Sequence, residues 1–188
     1  MKLADKIRKI LDFPEIAKDN GCTRAELILT KELAVDERVR MKCRLNVCGQ
    51  YNNNLWCPPN VLSLKESTSL LKSYDFAMLI QITEAVPDGN YEEVFHLKKN
   101  EFTNMLSVLE KEAFRGGFTL AVGLSAGHCE LCASCVAVEG GKQCNNPHQA
   151  RPSMEALGMN VEQVCRKIDF PAGFIPDEVT LTGMLLID

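Results

Sequence analysis

The sequence predicts an α/β fold, with α+β as its near neighbour: a small mixed sheet with a βαβ unit, packed helices and two cysteine-rich loops. Two features carry the fold. FAMLIQI (76–82) and FTLAVGL (118–124) are apolar runs of strand length. Between them, from Tyr91 to Phe114, Phe95, Phe102, Leu106, Leu109 and Ala113 recur at helical spacing, which predicts one long amphipathic helix. Strand, helix, strand over this length is a βαβ unit, whose crossover is right-handed as a rule. A third feature marks the loops: seven of the nine cysteines fall into two tight groups.

Taken in order, residues 2–11 place Leu3, Ile7, Ile10 and Leu11 on one helical face, with Pro14 as a break. A second short helix is expected from Pro14 to Lys18, ending at Asn20-Gly21. AELIL (25–29) reads as a strand, and AVDERVRM as a short polar connection to Cys43. The first cysteine group lies in loop sequence, GQYNNNLWCPPN. Ser63 to Leu71 is helical in pattern, VPDGN marks a turn, and Gly116-Gly117 stops the long helix. Ser153 caps a short helix that ends at Gly158, Val161 to Lys167 suits another, and VTLTGMLLI (179–187) is a closing strand.

The bulk numbers bound the class. A chain of 188 residues fits one metal-binding domain, 1–188, with an N-terminal helical segment at 1–20 and cysteine-rich loops at 43–57 and 129–147. An apolar fraction of 46 % suffices for an ordinary core. The net charge of −4 and the lack of a basic block argue against a dedicated nucleic-acid surface. MKLADKIRKILDF has no signal-peptide core, and no apolar run is long enough to span a bilayer. A cytoplasmic protein is expected, where an odd count of nine cysteines disfavours structural disulfides.

Thiolates this dense point to a metal or an iron–sulfur centre. Cys129, Cys132, Cys135 and Cys144 are spaced C-x2-C-x2-C-x8-C, with Pro147 beyond. Three ligands from one short loop can wrap adjacent corners of a four-iron, four-sulfur (4Fe–4S) cubane, and the fourth arrives from further along the chain. The x8 spacing departs from the ferredoxin x3. A zinc ion on four cysteines is the rival, although zinc sites more often pair two C-x2-C elements. Cys43, Cys48 and Cys57, spaced C-x4-C-x8-C, supply three thiolates. They are expected to ligate a second cluster with a borrowed or non-cysteine fourth ligand, to exchange ligands with the later loop, or to hold zinc.

Around these groups, the glycines of GLSAG (123–127) are expected to bring backbone N–H groups to cluster sulfurs. His128 is a ligand candidate or a neighbour of the site, His148 a weaker one, and His96 a surface residue. Trp56 and Tyr51 flank Cys57, where aromatic cover would keep water out. Arg151, Ser153 and Glu155 are candidates for contacts close to the metal. Cys22 and Cys165 are candidates for an eighth ligand, but each stands alone, and isolated cysteines are more often small core residues. There is no P-loop, G-x-G-x-x-G, H-E-x-x-H or complete G-x-S-x-G hydrolase pattern, so no catalytic residue is assigned.

The strings VRMKCRLNVCGQYNNNLWCPPN, GHCELCASC and RPSMEALGMNV resemble an uncharacterised family of predicted metal-binding proteins. The matching pieces are Lys42-Cys43, Trp56 to Pro59 (with no residue between Trp and Cys), Cys129 to Cys135, and Ser153 to Gly158. The likeness spans roughly residues 24–188 and implies metal binding through the matched cysteines, with no reaction attached. It departs after Gly49, where the polar Gln-Tyr-Asn-Asn-Asn stands. The function expected is therefore metal binding, with one or two 4Fe–4S clusters in a redox or accessory electron-transfer role beside a redox partner protein. The alternative is a zinc-binding interaction module without redox activity.

Overall fold

A computed structural model of the protein describes residues 3–86 and 89–187. Pro87 and Asp88 of the expected VPDGN turn lie outside the described residues. Nine regular elements follow one another: α1 (Leu3–Asp19), β1 (Arg24–Leu29), α2 (Glu37–Arg44), α3 (Leu64–Lys72), β2 (Phe76–Ala85), α4 (Tyr91–Gly116), β3 (Val122–Leu124), α5 (Val161–Lys167) and β4 (Glu178–Ile187).

The four strands form one sheet in the order β1-β2-β4-β3. β4 pairs with β2 along ten residues, from Phe76 opposite Ile187 to Ala85 opposite Glu178, and with β3 from Val122 opposite Leu186 to Leu124 opposite Met184. Both pairings are antiparallel, as is β1 with β2. The α/β class and the strand–helix–strand unit therefore stand, but the sheet is not mixed. β2 and β3 run parallel to each other with β4 inserted between them, so every hydrogen-bonded neighbour is antiparallel. Sequence adjacency suggests pairing of consecutive strands; the long C-terminal strand takes that place instead.

Both faces of the sheet are covered, which explains the unbroken apolar character of β2. Met78, Ile80 and Ile82 turn toward α1 and α4, packing with Ile10, Phe13, Phe102, Leu106 and Leu109. Ala77 and Leu79 turn the other way, toward Leu71 of α3, Met154, Leu157 and Met159, and Val164 of α5. A strand buried on both faces loses the polar alternation of a half-exposed one.

Several local expectations change. The N-terminal helix continues through Pro14 to Asp19 as one element. Its core face is Ile10, Phe13 and Ala17, while Ile7 and Leu11 are exposed. Packing on both sides of Pro14 outweighs the single backbone bond that proline forfeits. AVDERVRM holds a helix, α2, capped by the Asp36 carboxylate, which accepts the Arg38 N–H at 2.8 Å. With no buried residue in α2, hydrophobic periodicity gave no sign of it. Only Val122–Leu124 of the expected strand at 118–124 pairs; Phe118 instead meets Phe13 edge-on at 5.7 Å. Residues 153–158 form a turn rather than a helix, although Ser153 Oγ still accepts the Ala156 N–H at 3.1 Å.

Candidate metal centre

The 152–159 segment is the frame on which both cysteine groups hang. Ser125, directly after β3, donates its N–H to Pro152 O at 2.8 Å and accepts the Met154 N–H at 3.3 Å. Four residues later the chain reaches Cys129. On the other side of the turn the Asp36 N–H bonds Gly158 O at 2.8 Å, and Arg40 of α2 donates to Ala156 O at 2.8 Å and Leu62 O at 3.0 Å. That fixes α2, whose last turn carries Cys43. Gly158 has φ +87°, and a Cβ there would lie 2.5 Å from Leu64 Cδ2 and 2.9 Å from Val35 Cγ1. Glycine is required on both counts.

All nine cysteines are free thiols. Cys129, Cys132, Cys135 and Cys144 line one cavity of about 510 Å3, together with Trp56 and Asn54 from the first loop. Four N–H groups donate to three of these sulfurs. Asn146 gives its backbone N–H to Cys144 at 3.3 Å and its side-chain amide to Cys132 at 3.1 Å. The Trp56 indole reaches Cys144 at 3.5 Å, and the Leu55 backbone N–H reaches Cys135 at 3.4 Å. The Leu131 backbone N–H also bears on Cys129 and favours its thiolate, against burial, which pushes that thiol up. The donors expected from GLSAG are not among these: the Gly123 N–H goes to Glu110 at 2.6 Å.

Asn54, 2 % exposed, ties the two loops together. Its amide donates to Cys129 O at 2.9 Å, and its Oδ1 accepts the Trp56 N–H at 3.0 Å. Nothing in the Asn-rich string distinguished it from its neighbours; only burial does.

Cys43, Cys48 and Cys57 also come together, each pair close enough to interact electrostatically. Cys57 is buried, Cys43 half-buried and Cys48 exposed. The Cys57 thiol is pushed up to about 12, first by burial and then by the negative charge of Cys48, Cys43 and Cys129. Thiols so reluctant to ionise become good ligands when a cation compensates them. Among the described residues, no three His, Cys, Asp or Glu side chains sit close enough to grip a single ion. The sulfurs of the four-cysteine group instead line the shared cavity.

Of the two charged side chains between the groups, Glu155 was a sequence candidate and Lys99 was not expected. Lys99 is 2 % exposed and donates to Ser125 Oγ at 3.0 Å. Burial pushes its ammonium down, and Glu130, Cys129, Glu155 and Cys57 pull it back up. It lies on the apolar stripe of α4, between Phe95 and Phe102, and that position was the available signal. Burial also pushes the Glu155 carboxyl up, opposed by hydrogen bonding and by Lys99. Its Oε2 is sealed from solvent and has no partner.

The other sequence candidates play supporting parts. Glu130 Oε2 is hydrogen-bonded with His96 Nδ1 at 2.7 Å, so His96 is exposed yet linked to the second loop; His128 Nε2 lies 3.0 Å from Glu130 Oε1, a sealed oxygen with no hydrogen-bond partner. Arg151 makes a two-pronged bond to Glu110 at 2.7 and 2.5 Å and also holds the carbonyls of Pro147, His148 and Ala150. It anchors the end of the cysteine loop to α4. His148 itself is exposed. Cys22 and Cys165 are buried on opposite faces of the sheet.

A family model described as "Predicted metal-binding protein (DUF2284)" matches residues 26–187. The chain belongs to this family. The DUF2284 match takes in both cysteine groups, Lys99, Asn54 and the 152–159 frame, and begins beyond α1. It bears out the resemblance read from the motifs. No curated protein and no solved structure matches the chain. Among the described residues, no helix is long and apolar enough to cross a membrane.

Proposed function

We propose that the protein is an iron–sulfur protein in which Cys129, Cys132, Cys135 and Cys144 hold a 4Fe–4S cluster, while Cys43, Cys48 and Cys57 contribute to a second centre. Its role is redox or accessory electron transfer to a partner protein. The carrying observation is the set of N–H groups aimed at Cys132, Cys135 and Cys144 around one cavity. A neutral thiol is a weak acceptor, so this much donation to sulfur is of most use when the sulfurs are anionic. N–H···S bonds stabilise negative charge on a cluster and raise its potential. Trp56, lying over Cys144, limits water access, a second lever on potential.

The cluster, when bound, supplies one-electron chemistry; the chain's residues set where and how readily it occurs. The sulfurs of the four-cysteine group are half-buried rather than deeply enclosed, and Cys48 is exposed, which supports short access for a redox partner. Nine free thiols also suit a reducing, cytoplasmic setting.

The test is the native protein prepared without oxygen and assayed for iron, acid-labile sulfide and zinc. Brown protein that bleaches with dithionite is expected, and Cys132→Ser should remove one centre while Cys165→Ser leaves metal content unchanged. Colourless protein with stoichiometric zinc would overturn the reading and favour a zinc-stabilised interaction module. Equal metal loss from both substitutions would sink the ligand assignment.

A further inference from the structure

The four-cysteine group has one sulfur that its N–H donors serve least, and a buried cation stands behind it. We infer that the Lys99 ammonium is the built-in counter-charge of the four-cysteine centre, set behind Cys129 to make that centre easier to reduce. The inference rests on the iron–sulfur reading above and deepens it, giving a role to a residue that the ligand count leaves out.

Placement carries the argument. Lys99, Ser125, Cys129, Glu130 and Arg151 border one small hole of about 10 Å3, room for at most a single water. Cys129 also lines the 510 Å3 cavity that holds the other three sulfurs, so it forms the wall between the two spaces. The ammonium is fixed from two sides. Its carbon chain comes from α4, and its Nζ donates to Ser125 Oγ at 3.0 Å. Ser125 is itself buried and bonded through its backbone to Pro152 and Met154.

The charge lacks a close partner. A buried ammonium is costly unless an anion compensates it. Lys99 is 2 % exposed, forms no ion pair among the described residues, and spends one of its three N–H bonds on a neutral hydroxyl. Glu130 borders the same hole, but His96 engages one of its oxygens at 2.7 Å and His128 lies 3.0 Å from the other. Arg151, the second cation there, is already matched by Glu110. An anionic centre across Cys129 would supply what Lys99 lacks.

The sulfurs show the complementary gap. Cys132, Cys135 and Cys144 each accept an N–H from Asn146, Leu55 or Trp56, whereas among the described residues no side chain donates to Cys129. A cluster on four thiolates gains one more negative charge on reduction. A fixed cation in a poorly polarisable interior favours that reduced form and raises the potential. Because Lys99 is enclosed, added salt should screen it little.

The test compares wild type, Cys132→Ser, Lys99→Met, Lys99→Gln and Lys99→Arg, all purified anaerobically. Iron and sulfide are counted, and circular dichroism checks folding. Each protein is then titrated against redox dyes while the electron paramagnetic resonance of the reduced cluster is followed. The signal missing from Cys132→Ser marks the four-cysteine centre. Lys99→Met should disfavour reduction of that centre about tenfold, a midpoint about 59 mV lower. Lys99→Gln, neutral but able to keep the Ser125 bond, should shift it as far, and Lys99→Arg should stay near wild type. Should the Met variant fail to fold, Gln against Arg makes the same comparison. An unmoved midpoint in the neutral variants would overturn the inference, as would a shift confined to the other signal. Equal shifts in Gln and Arg would do so too, since they mark disturbed packing rather than lost charge. A wild-type cluster indifferent to Lys99 thus overturns this inference alone, whereas wild type without iron and sulfide sinks the iron–sulfur reading and this inference with it.

Discussion

The sheet and the cysteine face are built on different principles. Along β2, Ala77 through Gln81 are all fully buried, held by apolar packing from both sides. From Gly127 to Gln149, by contrast, no residue is buried, nor is any from Cys43 to Asn53. Those segments are fixed by side-chain bonds to backbone and sulfur, by Asn54, Asn146 and Arg151 above all. Apolar contact cannot order loops of this kind, whose chain entropy costs about 1–2 kcal/mol per residue. The sheet can stand by hydrophobic burial; on the proposed reading, the cysteine face needs the metal that its thiols would hold. Perturbations should therefore separate the two.

The largest effect should come from the core. Phe102 is fully buried on α4, and its ring packs over Gly183 of β4, where an added Cβ would lie 2.7 Å away. Phe102→Ala should cost about 3–5 kcal/mol in urea unfolding. Metal per folded chain should not change. If metal is lost in step with stability, the two regions are not separable.

Metal removal should do the reverse. Stripping the protein with a chelator under anaerobic conditions should speed amide exchange in 43–57 and 127–149 by on the order of 100-fold, or ~2.7 kcal/mol of local stability. Exchange in β2 and β4 should barely move. Uniform loss of protection would mean that the metal is integral to the whole fold.

Gly158→Ala probes the joint between the regions. The positive φ and the contacts with Leu64 and Val35 leave no room for a methyl group, so a cost of about 1–3 kcal/mol is expected. Because the same turn anchors α2, metal content at the Cys43, Cys48 and Cys57 group should fall while the four-cysteine group keeps its own. Metal counts in this variant and in Gly158→Ala combined with Cys132→Ser would show it.

What could be read from the sequence divides along the same line. β2, α4 and β4 declared themselves because long apolar periods reflect the packing that makes them. The cysteines declared themselves by chemistry and spacing. α2 did not, because it buries nothing and carries no periodic stripe. The insertion of β4 was invisible because pairing order depends on contacts distant in sequence. Lys99 and Asn54 were hidden for another reason: a polar residue reveals a buried role only when its surroundings are known. GLSAG misled because Gly123 spends its N–H on Glu110 and packs closely on Leu106, with a Cβ position 3.3 Å from Leu106 Cδ2.

The smallest effect should be a pH dependence that belongs to the core alone. Cys22 is 7 % exposed beneath α1, and burial raises its thiol from 9.0 to about 11, with Lys18 opposing and Glu15 assisting the shift. The folded chain thus holds this proton more tightly than the unfolded chain does. The stabilisation is full below the unfolded thiol's value and is lost as pH rises through that value toward the folded one. At about pH 10 the loss should be on the order of 1 kcal/mol. Melting wild type and Cys22→Ala between pH 8 and 11 should show the wild-type advantage shrinking with alkalinity. Its thiol should also resist alkylation near neutrality while the exposed Cys48 of the metal-free protein reacts. A constant difference between the two melting curves, or fast labelling of Cys22, would place that thiol in water and remove it from the core.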